Sequence, residues 1–401
     1  MVEVSRLALH ELPRSSIDLY GDATLADPYP AYGELRNLGS AVWLEKIGAY
    51  FIGRYADVDA ALKDWKSFSS DKGIGLNSII NQAWDEALIC QDPPVHTLRR
   101  RIMAQALGPA ALKPVAESID RRAADLADRL AARGTFDGVA DLAQDLPINI
   151  VMDLIGWPHD IRSDLLNIAE GAWDGAGPPG ARTTSGLATM QAMMDMLAEI
   201  YDNNRVAPDG YAAQLIAASH LGEITRETAI GMLAGYVVAA FETTIAAMAS
   251  GAWLFATNPG EWEKLRANPN LAMSAANEIV RMRSPVQKFA RFVTRDTALS
   301  DGSVVPGGDW AVISYGSANR DGRQFAEADR FWIDRKERQN LGFGQGPHNC
   351  AGQGLARMEL VAVFKALAAR IERFELAGDP VPVVNNVAFG FSSVPLRAIA
   401  A

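Results

Sequence analysis

Cys350 stands in the stretch Phe343-Gly344-Gln345-Gly346-Pro347-His348-Asn349-Cys350-Ala351-Gly352, directly before an apolar run with helical spacing. A thiol at a helix start is favoured as thiolate, because the N-terminal end of the helix dipole is positive. A thiolate is a soft metal ligand. Gly344 and Gly346 let the backbone fold tightly where a side chain would not fit. A lone Cys in a glycine turn is more often a buried structural thiol; the surrounding letters set this one apart. Glu242-Thr243-Thr244 interrupts the apolar run from Ala229 to Ala256. A carboxylate beside an alcohol can hold and pass a proton, although a threonine pair can also bond back to helix carbonyls. His96 and Arg100 are four residues apart and share a helix face. Glu278 and Arg281, three apart, can pair on theirs.

The elements that position these groups read mainly as helix. Pro28 and Pro30 open a helix over 31–38, and Ala41–Leu44 with Tyr50–Gly53 form a small hairpin. Helical spacing resumes over 55–65. The glycine-containing stretch 73–87 reads as a long loop, and Asp92-Pro93-Pro94 starts a helix through Leu107. From Pro114 to His220 the pattern is helical, broken at Gly134, at Gly156-Trp157-Pro158 and at Gly177-Pro178-Pro179-Gly180, the last read as a mobile loop over a site. Thr225 caps the long apolar helix, which ends before Asn258-Pro259. A helix over 271–283, strand-like residues over 289–314, a final helix over 351–374 and short strands over 381–396 complete the chain. The apolar run is long enough to span a bilayer. A carboxylate at mid-bilayer costs about 2.5–3.5 kcal/mol, so a buried central helix is the expectation.

The chain has 401 residues, 49% of them apolar, and a formal charge of −10. That charge argues against a general nucleic-acid binder. Two cysteines, Cys90 and Cys350, exclude a disulfide framework and fit a reducing, cytoplasmic compartment. Met1 to Tyr20 carries no apolar signal core. A single domain over 1–401 is expected.

The Cys350 stretch resembles the haem-binding signature F-G-x-G-x-H-x-C-x-G of the cytochromes P450. Six fixed letters recur by chance in such a chain on the order of once in 10^5 sequences. The resemblance implies a mainly α fold with small β-sheets, a helix-rich triangular domain with a long central helix. It implies haem b, with Cys350 as the axial iron ligand. His96, Arg100, Ala239, Arg291, Phe343, Gly344, His348 and Gly352 then contact the cofactor. Ala239-Ala240-Phe241-Glu242-Thr243-Thr244 resembles the oxygen-activation motif, with Glu242 relaying protons and Thr243 bonding the activated dioxygen. Ala240 departs from the family's glycine there. Glu278 and Arg281 with Arg335 match the structural triad of the proximal side.

The implied reaction is a monooxygenase cycle fed by a ferredoxin and its NAD(P)H-dependent reductase, docked near Arg99, Arg101 and Arg357 of a monomer. Lys72-Gly73-Ile74-Gly75-Leu76, Ser284-Pro285-Val286-Gln287, Gly316-Ser317-Ala318-Asn319-Arg320-Asp321 and Val384-Asn385-Asn386 are similar to a subfamily that O-demethylates para-substituted benzoates. The polar residues which that group places near the substrate carboxylate fall at Ala234 and Gly235 here, and Lys72 stands for a loop arginine. A neutral or phenolic methoxyarene is therefore expected. Candidate pocket residues are Lys72, Ile74, Leu76, Ile79, Val237, Val238, Phe241, Val286, Phe289 and Phe389. Alternatives are a hydroxylase of a terpenoid, fatty acid or natural-product intermediate, a peroxide-driven enzyme, which Glu242 and Thr243 oppose, a membrane-bound oxidase, and a non-catalytic haem sensor.

Overall fold

A computed structural model describes residues 12–337 and 339–401; the stretch 1–11, read above as lacking a signal core, lies outside them. Helices dominate, and the largest sheet has six strands. The hairpin forms as expected, with Ala41–Leu44 antiparallel to Ala49–Ile52. Lys288–Val293 pairs antiparallel with Trp310–Ser314, which runs parallel to Ala49–Ile52. A second sheet joins Ile371–Leu376, Pro395–Ala400 and Thr135–Asp137.

The central helix is two segments, Arg226–Ala240 and Glu242–Thr257, which meet at Phe241 with ψ −69°. Thr225 caps the first through its hydroxyl, which accepts from the Thr228 N–H at 3.1 Å. The Thr243 hydroxyl donates to the Ala239 carbonyl at 2.7 Å. That side-chain bond occupies a carbonyl next to the break, a common cause of helix bending. Of the 18-residue window that is apolar enough to cross a membrane, 67% is buried inside the protein.

Two readings of local structure need correction. The 73–87 loop contains a helix, Ser78–Ala83, capped by Asn77, whose side chain accepts from the Ile80 N–H at 3.0 Å. The last helix is Gln353–Ala368, because Ile371–Leu376 leaves it to pair with Pro395–Ala400. The 177–180 stretch is tied to its surroundings by hydrogen bonds. Asn77 donates to the Gly175 and Gly177 carbonyls at 2.8 Å, and Thr183 Oγ1 donates to the Pro178 carbonyl at 2.6 Å.

A buried ionic knot secures the side beneath the cysteine loop. Arg281 donates to both Glu278 oxygens at 2.7 and 2.8 Å, and Arg335 Nε donates to Glu278 Oε1 at 3.1 Å. The Trp332 N–H adds a bond at 3.0 Å. All three charged residues are at most 4% exposed. Remaining guanidinium protons go to the carbonyls of Asn319, Ala328 and Arg330. Every partner of this charge is thus supplied by the chain, which is what makes its burial tolerable.

Candidate active site

The cysteine loop is built by glycines in conformations that other residues avoid. Gly344 and Gly346 have φ of +67° and +65°. A Cβ on Gly346 would lie 2.2 Å from the Leu62 carbonyl oxygen. The Cys350 N–H donates to the Phe343 carbonyl at 2.7 Å, which closes the loop. Burial pushes the Cys350 thiol up, while the backbone N–H groups of Gly352 and Gln353 and the charges of Arg100 and Arg357 pull it down. The donors that would stabilise a thiolate are therefore in place.

A cavity of about 630 Å³ opens above Cys350. Cys350, Phe343, Gly344, His348 and Gly352 line its floor, and His96 and Arg100 line one side. The central helix forms the roof, where Gly231, Gly235, Ala239, Thr243 and Ala247 recur every four residues and all line the cavity. That spacing is one helix face, and small residues along it leave room above the cysteine.

His96, Arg100 and His348 line one edge, and Arg291, which does not line the cavity, lies close enough for its charge to act on His348. The His96 and His348 rings lie 4.4 Å apart. His96 Nε2 is buried with no hydrogen-bond partner among the described residues. Burial, then the charges of His348 and Arg100, lowers the His96 imidazole to about 4. Arg100 donates to Asn349 Oδ1 at 3.0 Å. Arg291 is 4% exposed, donates to its neighbour's carbonyl at 2.8 Å, and forms no ion pair among the described residues. Arg100 and Arg291, guanidiniums drawn in from solvent without a protein carboxylate, call for an anionic partner. The two propionates of a haem supply that need, and the thiol, the glycine cradle and the cavity fit the same group.

Two contributors were missed by sequence reading. Asp92 accepts from Ser69 Oγ at 2.6 Å and the Ser70 N–H at 3.2 Å, and lies 4.0 Å from His348 Nε2. Burial alone would raise its carboxyl, but His348 and these hydrogen bonds hold it below the usual range. Trp173 lines the cavity and donates from its indole to the Val238 carbonyl at 3.1 Å. No spacing rule marks either one. Their placement depends on contacts remote in sequence.

Of the expected pocket residues, Val238, Val286 and Phe289 line the cavity. The others lie elsewhere. Lys72 is exposed, with its ammonium 5.4 Å from the Phe292 ring. Ile79 is 61% exposed on the short helix. Leu76 packs on a second core cluster with Tyr32 and Phe51. Ile74 is buried in the main core, its carbonyl accepting from the Ala290 N–H at 2.9 Å. Val237 and Phe241 sit two residues off the roof series and so face away; Phe241 meets Trp157 at 5.9 Å. Phe389 packs on Tyr29 at 5.5 Å and under the Arg283 guanidinium at 4.0 Å. On the expected partner face, Arg101 is exposed, but Arg99 is committed to Glu86. Arg357 bonds Asn277 and Gln353 and stacks on Phe343 at 4.3 Å.

Comparisons with known proteins agree with this geometry. The sequence profile of the family described as Cytochrome P450 matches residues 188–397. The chain is 36% identical over 390 residues to the cytochrome P450 CYP199A2 of Rhodopseudomonas palustris, covering 96% of this chain and 94% of that one. It is 30% identical to linalool 8-monooxygenase of Pseudomonas putida, covering 94% and 96%. Among solved structures, CYP109E1 of Bacillus megaterium superposes with a TM-score of 0.85 at 24% identity, over 94% of this chain and all of that one. CYP108D1 of Novosphingobium aromaticivorans superposes with a TM-score of 0.81 at 26% identity, over 96% and 100%. The chain belongs to the cytochrome P450 family, the haem-thiolate monooxygenases whose cofactor is haem b.

Proposed function

We propose that this monooxygenase oxidises a small aromatic substrate, by O-demethylation or hydroxylation of a methoxyarene, with electrons from a ferredoxin and its reductase. The observation that carries the reading is the apolar cavity between Thr243 and Cys350, walled by Trp173, Phe289 and Val286. The four stretches that resemble the benzoate-demethylating subfamily, Lys72–Leu76, Ser284–Gln287, Gly316–Asp321 and Val384–Asn386, support the same class. The haem supplies the activation of O2 when bound. The chain does the rest. Cys350 donates the thiolate, held by the N–H groups of Gly352 and Gln353. Arg100, Arg291, His96 and His348 would hold the propionates, and Phe343, Gly344, Gly352 and Ala239 would frame the ring.

Thr243 and Glu242 manage protons. With its own proton given to the Ala239 carbonyl, Thr243 Oγ1 presents acceptor lone pairs to the cavity. Glu242, beside the helix break, is the carboxylate that passes protons inward. Glu278, Arg281 and Arg335 hold the fold beneath the cysteine without touching the reaction. The chain works as one unit, a cytoplasmic monomer, and the burial of its apolar central helix supports a site away from lipid. Arg101 remains the exposed cation for a ferredoxin, beside the more engaged Arg357.

The test is turnover of 4-propylguaiacol by the purified holoenzyme with a bacterial ferredoxin, its reductase and NADH. Formaldehyde and the demethylated catechol in equal amounts support O-demethylation. Efficient oxidation of linalool with no arene turnover would favour the terpenoid reading, which the likeness to linalool 8-monooxygenase keeps open.

A further inference from the structure

The cavity has a wall and a mouth whose chemistry the haem does not demand. The wall is a chain of rings that all line the cavity: Trp84, Trp173, Phe289 and Tyr315. Trp84 meets Trp173 edge-on at 5.8 Å, Trp173 meets Phe289 at 5.3 Å, and Phe289 meets Tyr315 at 6.1 Å. Trp173 is the middle of this chain and is fixed by its bond to the Val238 carbonyl. Rings so placed favour a further ring in edge or offset contact.

The mouth lies where the 83–89 stretch, the helix Ala181–Asp202 and the start of the central helix meet. Its carboxylates are Asp85, Glu86, Asp195 and Glu227. The two guanidiniums there are already engaged. Arg226 bonds both Asp202 oxygens at 2.9 and 2.7 Å, and Arg99 bonds Glu86. Deeper inside, the lining cation is Arg100, on the cysteine-loop side and bonded to Asn349. Lys72 is outside and exposed. An entering carboxylate would meet like charge at the mouth, and the cation beside the aromatic wall, Arg291, 6.0 Å from the Phe289 ring, is the one assigned above to a propionate.

We propose that the site selects uncharged arenes: Trp173 orients the substrate ring, and the acidic mouth disfavours carboxylated analogues. This rests on the reading of the chain as an oxygenase of small arenes. The experiment titrates ferric holoenzyme with 4-methoxybenzoate and with methyl 4-methoxybenzoate, which share ring and ether and differ in charge. The low-spin to high-spin shift of the haem absorption reports binding. The ester is expected to bind about tenfold tighter or more, and Asp195→Asn with Glu227→Gln to narrow that gap. Raised salt narrows it too. Trp173→Leu should weaken ester binding by about tenfold and Trp173→Phe should recover most of it, with haem content unchanged in both. Equal binding of acid and ester, or unchanged ester affinity in Trp173→Leu, overturns the inference while arene turnover leaves the oxygenase reading standing. Absence of any spin shift with arenes, alongside one with linalool, overturns both.

Discussion

Removing the Glu278 carboxylate should destabilise the protein far more than a typical charge deletion. Glu278 is 4% exposed and neutralises two guanidiniums that are 1% and 2% exposed. Glu278→Ala removes the acceptor of two Arg281 bonds, one Arg335 bond and the Trp332 N–H. It leaves two buried cations without a counter-charge. Breaking a buried pair from one side costs about 3–5 kcal/mol, a large share of the roughly 5–15 kcal/mol that holds a folded protein together. Lys46, about half-exposed and 3.3 Å from Asp18, provides the contrast. Its loss should cost less than about 1 kcal/mol. Urea unfolding at pH 7, followed by far-UV circular dichroism, measures both, with Glu278→Gln expected between them. A Glu278→Ala loss under about 1 kcal/mol would refute the reasoning, because it would mean that the two arginines find other compensation.

Gly346→Ala should sharply lower the haem content of purified protein, since its Cβ meets the Leu62 carbonyl at 2.2 Å and φ is +65°; Gly354→Ala, whose nearest neighbour is 3.5 Å away, should not. Arg291→Gln should speed haem transfer to apomyoglobin by several-fold, on the order of the loss of one charge-assisted bond; an unchanged rate would remove Arg291 from the propionate set. Burial, then the charge of Arg182, lowers the Lys288 ammonium to about 7. The unfolded chain holds that proton up to the ordinary value of 10.5, so between about 7 and 10.5 it binds more protons than the folded one and stability rises with pH. Lys288→Met should therefore stabilise the protein, more at pH 6 than at pH 10, in paired thermal melts; an equal gain at both would count against a buried neutral lysine. Thr243→Ala should keep haem and substrate binding but divert more NADH to hydrogen peroxide, measured as product formed per NADH, with Thr243→Ser restoring part of the coupling.

The chemistry was legible where it is local. The Cys350 loop, the Glu278–Arg281 spacing and the His96–Arg100 spacing are each set by a few neighbouring residues, and the structure brings each set together. The pocket was legible only in part. Thr243 fixes the phase of the central helix, and steps of four back from it give Ala239, Gly235 and Gly231, all on the cavity. Val237 and Phe241 break that phase and turn into the core, although their apolar character alone made them candidates. Ile79 was drawn in by its place in an apparent binding loop, but the Asn77 cap starts a helix there whose outer face carries it. Trp173 and Asp92 were invisible because their neighbours come from elsewhere in the chain: Val238, Phe289 and Trp84 for one, Ser69 and His348 for the other. The helix break at Phe241 occurs with Ala240 in the family's glycine position, so that departure does not straighten the roof above Cys350.

Cys350, as thiolate, would ligate the iron of a haem in this cavity. The most direct measurement is the absorption difference spectrum of the reduced, carbon monoxide-bound holoprotein. The red-shifted band of a thiolate-ligated haem is expected, and its loss in Cys350→Ala. A band at the position of a histidine-ligated haem, or an unchanged spectrum in Cys350→Ala, would contradict it.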